Sequence, residues 1–475
     1  MKYLAILALL AGCMVGPDHC VPEVALPEFY EEAHLMQEEP IDLATWWKQF
    51  DDPMLEELVD EALCFNFDFL IALRKIEEMR GQFKIEKSPL YPQIAGDAIA
   101  IRSRRSENLV SDVIEDPQTF TSATDTNFAG PLIQNFYQIG LDASWELDLW
   151  GKNRRRAEFG LQQYQASQES ALGVRISVVA EVSRAYVVIR SLQKQVAISR
   201  EQIERQKELL HLAQSLYEAG LVSHADVARA QAELEREESD LPLFERELKA
   251  SIFTLAEALG RPPEELFTRF DEMAPIPKGA LPETMPSELL RRRPDIRQAE
   301  RELAAATSRI GIAKAEFFPS FSLLGNFGVQ SNSADLLFAW PSRFWTIGPS
   351  MVWNLFTGGR LIGQLKVETE RQKQAVIFYE KAINDALVDI ETSLVGYYKQ
   401  QERTAKQNAR IESNLLIRSY ALDQYLAGLI PLFEVIEAEK ELFRNQLLEV
   451  ASQETETTFL IALYKALGGG WECSE

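Results

Sequence analysis

The sequence predicts a mainly α-helical chain with a smaller β part, laid down as two copies of one structural unit. Three features carry this expectation: a long internal duplication, two very long Pro-free stretches with heptad spacing, and four short stretches of alternating polarity. Residues 140–260 recur at 348–468 with one constant offset of 208. Trp145 maps to Trp353, Leu147 to Leu355, Gly151 to Gly359 and Lys152 to Arg360. Tyr217-Glu218-Ala219-Gly220-Leu221 maps to Tyr425-Leu426-Ala427-Gly428-Leu429, and Ala258-Leu259-Gly260 to Ala466-Leu467-Gly468. Upstream, Ile85, Lys87 and Tyr91-Pro92 match Ile312, Lys314 and Phe318-Pro319 at an offset of 227, so the first copy holds 19 additional residues before Gly140. A period this long duplicates a whole structural unit rather than a solenoid turn.

Each copy holds one long stretch, which follows its leading helix and its alternating stretches. From Lys152 to Ala219 there is no Pro, and Val182, Ile189, Val196, Ile203, Leu210 and Tyr217 recur every seven residues, the spacing of a coiled-coil seam. The equivalent run from Arg360 to Ala427 is also free of Pro. Each would span ~100 Å at the rise of an α-helix, far beyond the average globular helix. Gly220 and Gly428 stand where a helix C-terminus takes a left-handed residue. Returning helices are expected at Asp226–Leu259 and Glu434–Leu467, and leading helices at Pro53–Lys87 and Pro286–Lys314.

The alternating stretches supply the β part. Tyr137, Ile139, Leu141, Ala143, Trp145, Leu147 and Leu149 share one face, while Gln138, Asp142, Ser144, Glu146 and Asp148 share the other. Phe321, Leu323, Phe327 and Val329 alternate with Ser320, Ser322, Asn326 and Gln330, and Trp345, Ile347, Met351 and Trp353 with Thr346, Ser350 and Asn354. Gln93–Ser103 is a weaker fourth stretch. Apolar-out, polar-in segments of about ten residues with terminal aromatics mark transmembrane β-barrels, and the same alternation fits a soluble sandwich with one wet face. Asp142, Glu146 and Asp148 suit a watery lumen or open solvent equally. If the strands span a membrane, four per chain cannot close a barrel, whose smallest versions have about eight. Several copies must then share one, because an open edge in lipid strands unpaired backbone groups.

Termini, charge and cysteines set the remaining bounds. Lys2, the apolar run Leu4–Leu10 and Leu10-Ala11-Gly12-Cys13 read as a secretory signal over 1–12, with a lipobox that resembles the site of bacterial lipoprotein acylation at Cys13. Met14 in place of Asp favours the outer membrane, by resemblance to enterobacterial lipoproteins. The expected domains are a lipid-anchored segment 13–52, a first repeat 53–260, a Pro-rich linker 261–285 (Pro262, Pro263, Pro275, Pro277, Pro282), a second repeat 286–468 and a tail 469–475. The 19 additional residues fall in a polar loop within Ser103–Gln134. No stretch beyond the signal approaches the ~18 apolar residues of a spanning helix. The formal charge of −23 argues against nucleic acid as a partner. Cys20, Cys64 and Cys473 have no metal-ligand spacing. Cys64 reads as a small buried residue, and a Cys20–Cys473 bridge is compatible with an oxidising periplasm. Four histidines (His19, His34, His211, His224) lie apart, and no phosphate loop or nucleophile elbow occurs. The run Glu233-x-Glu235-Arg236-Glu237-Glu238 reads as a solvated helix face. No metal, resident cofactor or catalytic centre is expected, the one covalent group being the lipid on Cys13.

A set of ordered motifs narrows this further. Gly16-Pro17-Asp18 with Pro22, Trp46-Trp47-Lys48-Gln49-Phe50-Asp51-Asp52-Pro53 with Asn66, and Trp145-Glu146-Leu147-Asp148-Leu149-Trp150-Gly151 stand in the first half. Leu290-Arg291-Arg292-Arg293-Pro294-Asp295-Ile296-Arg297, Glu300-Arg301-Glu302-Leu303, Phe317-Phe318-Pro319-Ser320 and Phe356-Thr357-Gly358-Gly359-Arg360-Leu361 stand in the second. Over nearly the whole mature chain these resemble the TolC-type outer-membrane efflux channels, lipoprotein branch (OprM-like). The resemblance implies a homotrimer with a twelve-stranded β-barrel, four strands per chain, continued by a long α-helical periplasmic barrel. It implies a passive exit duct for small molecules in a tripartite system, with a periplasmic adaptor, a proton-driven inner-membrane transporter and outer-membrane lipid as partners. A duct for protein secretion and a non-channel coiled-coil lipoprotein remain the alternatives. In the family an apolar ring and an acidic ring from the second helix pair close the periplasmic end. Counted from the turn glycine, the matching positions are Phe433 and Glu437, with Glu in place of the usual Asp. Arg229 is the first-copy equivalent of Glu437 and Asp226 lies one turn before it, so an Arg229–Glu437 latch is expected, worth only ~0–1 kcal/mol if exposed.

Overall fold

The computed structural model describes residues 14–24, 42–104, 106, 133–270, 272–281 and 292–471. The signal, Cys13, most of the polar loop in Ser103–Gln134, Cys473 and the expected helix start at Pro286 lie outside the described residues. Element order repeats in two halves. The first runs α1 (Pro53–Phe65), α2 (Phe67–Lys87), β1 (Gln93–Arg104), β2 (Ile133–Leu147), α3 (Lys152–Glu218) and α4 (His224–Leu259). The second runs α5 (Pro294–Ala315), β3 (Ser320–Ser331), β4 (Arg343–Val352), α6 (Arg360–Leu426) and α7 (Leu432–Ala466). The chain forms two compact units, one from Met1–Cys20, Arg80–Gln163 and Ala304–Gln374, the other from Val21–Met79, Tyr164–Leu303 and Ala375–Glu475.

The first unit holds one antiparallel sheet in the order β1-β2-β3-β4. Directly opposed residues share a face, so the register sorts the side chains. Leu141, Phe327 and Trp345 form one row across three strands, and Ala143, Gly325 and Ile347 another. On the opposite face Ala95, Asp142, Asn326 and Thr346 form a row, as do Glu146, Ser322 and Ser350. The apolar face is bare: Phe327 is 59% exposed and Trp345 71%. A soluble sandwich would bury this face under a second layer, and nothing among the described residues covers it. Three tryptophans fasten the end of the sheet that joins the helices. The indole N–H groups of Trp145, Trp353 and Trp150 donate to the carbonyls of Leu90 (3.1 Å), Phe317 (3.1 Å) and Pro319 (2.8 Å).

The second unit is helical around one large apolar cluster. Five of the six heptad positions on α3, from Val182 to Leu210, are buried, while Tyr217 is 45% exposed and stacks edge-on against His224. The tryptophan motif forms a short 3-10 helix, Leu43–Phe50, and Trp46 stacks on Tyr464 at 4.9 Å. Asn66 divides the leading helix that the sequence presents as one. Its Oδ1 accepts from Phe69 N–H (2.9 Å) to start α2, and its amide donates to the Ala258 carbonyl (2.7 Å) at the end of α4. Cys64 also departs from expectation: at the last turn of α1 its thiol is exposed and free, as is that of Cys20.

The bare apolar face gives a test. Phe327→Arg, in the middle of the face, should cost about 2–4 kcal/mol in a bilayer and abolish recovery of membrane-inserted protein. Asn326→Arg, one residue along and on the polar face, should insert normally. Equal insertion of both, scored by membrane fractionation, would contradict the sheet's orientation.

Candidate functional site

Two places carry the residues singled out by sequence: the polar sheet face and the tips of the helix pairs. On the sheet, Asp142 and Glu146 lie in the polar rows described above, and Asp97 joins them, accepting from the Gln138 amide at 3.0 Å. Asp148 does not belong to this face. It lies beyond the end of β2 and accepts from the backbone N–H groups of Asn153 (3.0 Å) and Arg154 (2.9 Å). A carboxylate there satisfies orphan donors of α3 and complements its dipole. The alternating pattern runs on through Asp148 and Leu149, two residues past the end of β2 and into a helix cap.

At the tips, both long helices end in the same motif. Gly220 and Gly428 have φ of +72° and +71°. Leu221 N–H returns to the Leu216 carbonyl and Leu429 N–H to the Gln424 carbonyl, both at 2.9 Å. That Schellman closure needs a left-handed residue, which glycine adopts without strain. Apolar residues of all four helices, including Ile203, Leu210, Ala230, Tyr425, Leu432 and Ile436, then pack as a second, separate cluster.

The structure brings three of the four expected gate residues together and leaves one aside. The Asp226 carboxylate accepts from the Ser223 N–H (3.1 Å) and hydroxyl (2.8 Å), opening α4. Arg229 pairs with Asp226 at 3.7 Å and lies 5.7 Å from the Phe433 ring centre. Burial, then the nearby Asp226 charge, raises the Tyr425 hydroxyl above its ordinary pKa. Glu437 pairs with Lys440 at 3.7 Å, one turn along its own helix. The expected Arg229–Glu437 latch is therefore not formed within the chain. Arg229 is held by the nearer carboxylate on α4 and by the aromatic ring.

A polar stretch between the two apolar clusters was missed. Gln400 donates to the Ser452 hydroxyl at 2.7 Å, Thr404 meets the same hydroxyl at 2.9 Å, and Gln407 donates to the Asn445 carbonyl at 3.0 Å. Nearer the tips Glu439, only 4% exposed, is bonded by Arg418 of α6 and faced by Arg205 of α3 at 3.5 Å. A sequence signal for it exists. The first-copy seam residues Val196 and Leu210 become Thr404 and Arg418 in the second copy, and polar residues at seam positions require buried partners. One member of the acidic run on α4 is likewise not solvated. Glu237 is 2% exposed, and burial raises its carboxyl pKa against the opposing pull of Arg236.

A bare apolar and a polar sheet face, two hairpins and two long helix pairs define a membrane channel protomer. The chain belongs to the outer membrane efflux protein family, which it matches over residues 58–261 and 285–469. It is 28% identical over 475 residues to the solvent efflux pump outer membrane protein SrpC of Pseudomonas putida, covering 99% of this chain and 98% of the relative. It is 30% identical over 480 residues to the toluene efflux pump outer membrane protein TtgF, also of Pseudomonas putida, covering 99% and 96%. Among solved structures, the outer-membrane channel OprN superposes with a TM-score of 0.87 at 30% identity, over 97% of this chain and all of that one (100%). The open state of the Neisseria gonorrhoeae MtrE outer membrane channel gives 0.81 at 26% identity, over 97% and 99%. The protein is an outer-membrane efflux channel.

Two measurements test the helical part. Removing Glu439 (Glu439→Ala) leaves the half-buried Arg418 guanidinium without its carboxylate, which costs about 2 kcal/mol. Amide exchange in the tip segments of α6 and α7 should therefore accelerate about 30-fold, and unchanged exchange would show that the cluster holds nothing. Glu237 has a folded pKa above its unfolded one, so its ionisation opposes folding as pH rises from about 4 through the folded value. Glu237→Gln should raise the thermal midpoint at pH 7.5 relative to the parent, with the gain shrinking towards pH 4.

Proposed function

We propose that three copies of this chain form the exit duct of a tripartite efflux system, carrying small apolar and amphipathic molecules, drugs among them, outward without chemistry of its own. The observation that carries this reading is the four-stranded sheet. One face is apolar, the other polar, and β1 and β4 each keep an outer edge with no strand beside it among the described residues. In hydrocarbon those edges must be paired. Because β1 to β4 alternate in direction, β4 of one copy meets β1 of the next in antiparallel fashion. Three copies close at twelve strands, with Asp142 and Glu146 lining a watery lumen. The relatives named for solvent and toluene efflux support the substrate class. A periplasmic adaptor and a proton-driven inner-membrane transporter are the partners this reading assigns.

The reading also includes a lipid on Cys13. The residues just after it are pinned at the tryptophan end of the sheet. Val15 N–H donates to the Trp150 carbonyl at 3.0 Å, and Asp18 pairs with Arg155 at 2.6 Å. Gly16 lies so close to Gly311 that a Cβ there would stand 2.5 Å from its Cα. At the tips, three copies of Phe433 (43% exposed) would form an apolar ring and three of Glu437 a carboxylate ring, with Arg229 and Asp226 behind them. The first gates by dewetting and the second favours cations.

Single-channel recording in planar bilayers tests the duct. Phe433→Ala should conduct several-fold more than the parent, and Glu437→Gln should lose cation selectivity. If both behave like the parent, the constriction lies elsewhere. Deleting the gene should raise accumulation of apolar drugs, and failure to do so across a varied panel would remove the efflux assignment of substrate.

A further inference from the structure

The end of the sheet opposite the helices combines arginines and exposed aromatics in a way the duct does not require. The end of β1, the start of β2 and the β3–β4 connection, 332–342, lie at this end, because the other four strand ends run into helices. The β3–β4 connection is a built element rather than a slack loop. Leu337 is buried within it, the Ser342 hydroxyl donates to the Leu336 carbonyl at 2.6 Å, and the backbone turns through Ala334–Leu336 and Trp340–Ser342. This arrangement leaves Leu336, Phe338 and Trp340 outward, the last two about three-quarters exposed at 75% and 76%. Arg343 opens β4 with its guanidinium 3.9 Å from the Trp340 ring centre. By register Arg343 opposes Val329, which opposes Ile139, so it stands on the apolar face. Arg102 on β1 shares that face, in step with Ala98 and Ala100, whose partners are Ile139 and Tyr137. In a chain with 72 acidic and 49 basic residues, most arginines on the helices have a carboxylate beside them. Among the described residues, Arg102 and Arg343 have none within 4.0 Å.

From this we infer that Trp340, Arg343 and Arg102 form a binding site for the phosphate of an anionic membrane lipid, at the outer rim of the apolar face. The site rests on the duct reading and completes itself through it. Arg343 and Arg102 lie on the two edge strands, so closing the barrel sets Arg343 of one copy and Arg102 of the next on adjoining strands of the same outer seam. Guanidinium forks match phosphate oxygens in pairs. Stacking on Trp340 fixes the Arg343 plane and spares part of the ordering cost. Phe338 and Leu336 enter the acyl layer beside the headgroup.

Native mass spectrometry of the assembled protein tests this, with bisphosphorylated lipid A and phosphatidylcholine as the two probes. The parent should retain lipid A in up to three copies per trimer, in preference to phosphatidylcholine. Arg343→Ala and Arg102→Ala should each weaken retention about tenfold, Arg343→Lys less, and Arg200→Ala, which removes an exposed helix arginine, not at all. Equal retention by the Arg343→Ala/Arg102→Ala double variant overturns the site. So does displacement of the lipid by equimolar inorganic phosphate, which would mark a free-anion site. Conductance is read on every variant. A conducting barrel without lipid preference overturns this site alone, whereas a parent that never assembles overturns the duct and the site together.

Discussion

Unpaired backbone in hydrocarbon is the constraint from which the rest of this chain follows. Each N–H or C=O left without a partner in lipid costs several kcal/mol, and a four-stranded sheet leaves two whole edges open. The apolar face of the sheet suits lipid, yet a single chain cannot satisfy its own edges there. Duplication answers part of the problem, since each half supplies one hairpin and the register between β2 and β3 joins them. Association of copies answers the remainder. The polar rows containing Asp142 and Asn326 then become an interior surface, so the lumen is a by-product of pairing the edges.

Much of this was legible in the sequence because it depends on periodicity. A two-residue period sorted lipid face from polar face, and the pairing of Leu141 with Phe327 and Trp345 reproduces that sorting. A seven-residue period identified the α3 seam, and the turn glycines ended both long helices where left-handed φ occurs. The readings that failed turn on single contacts, to which periodicity is blind. Asp148 has the parity of a lumen residue, but the strand stops before it and the donors of α3 take its carboxylate. Asn66 sits within an unbroken helical pattern, and only the Ala258 carbonyl, 192 residues away, explains the break. Cys64 and Glu237 exchange their expected environments, since the side of a helix that faces a neighbour depends on which neighbour is present.

The two halves share a backbone plan and differ in what glues it. In the first copy the seam of α3 is apolar at five successive heptads. In the second, Thr404 and Arg418 interrupt it, and Glu439 replaces Gln231 on the returning helix. Apolar burial is non-directional and tolerates small shifts. Hydrogen-bonded amides and a buried ion pair hold one register and weaken steeply when displaced. The second pair is thus held in discrete steps along its length, with an apolar cluster at each end of the polar stretch.

If the tips are the gate, as proposed, that difference decides where an opening force would act. The Arg229–Asp226 and Glu437–Lys440 pairs at the tips are at least partly exposed, so each contributes about 0–1 kcal/mol and neither alone holds a closed state. Glu439 between Arg418 and Arg205 is different, because it is buried and joins both helix pairs. Separating the pairs at that level breaks the Arg205–Glu439 contact, whereas bending beyond it, in the 12 residues from Gly428 to Glu439, disturbs mainly the apolar contacts around Leu432 and Ile436. On that proposal a partner would open the tips only by binding the open arrangement more tightly than the closed one. That differential affinity need offset only the apolar contacts beyond Glu439, provided that the buried clamp stays intact as the hinge.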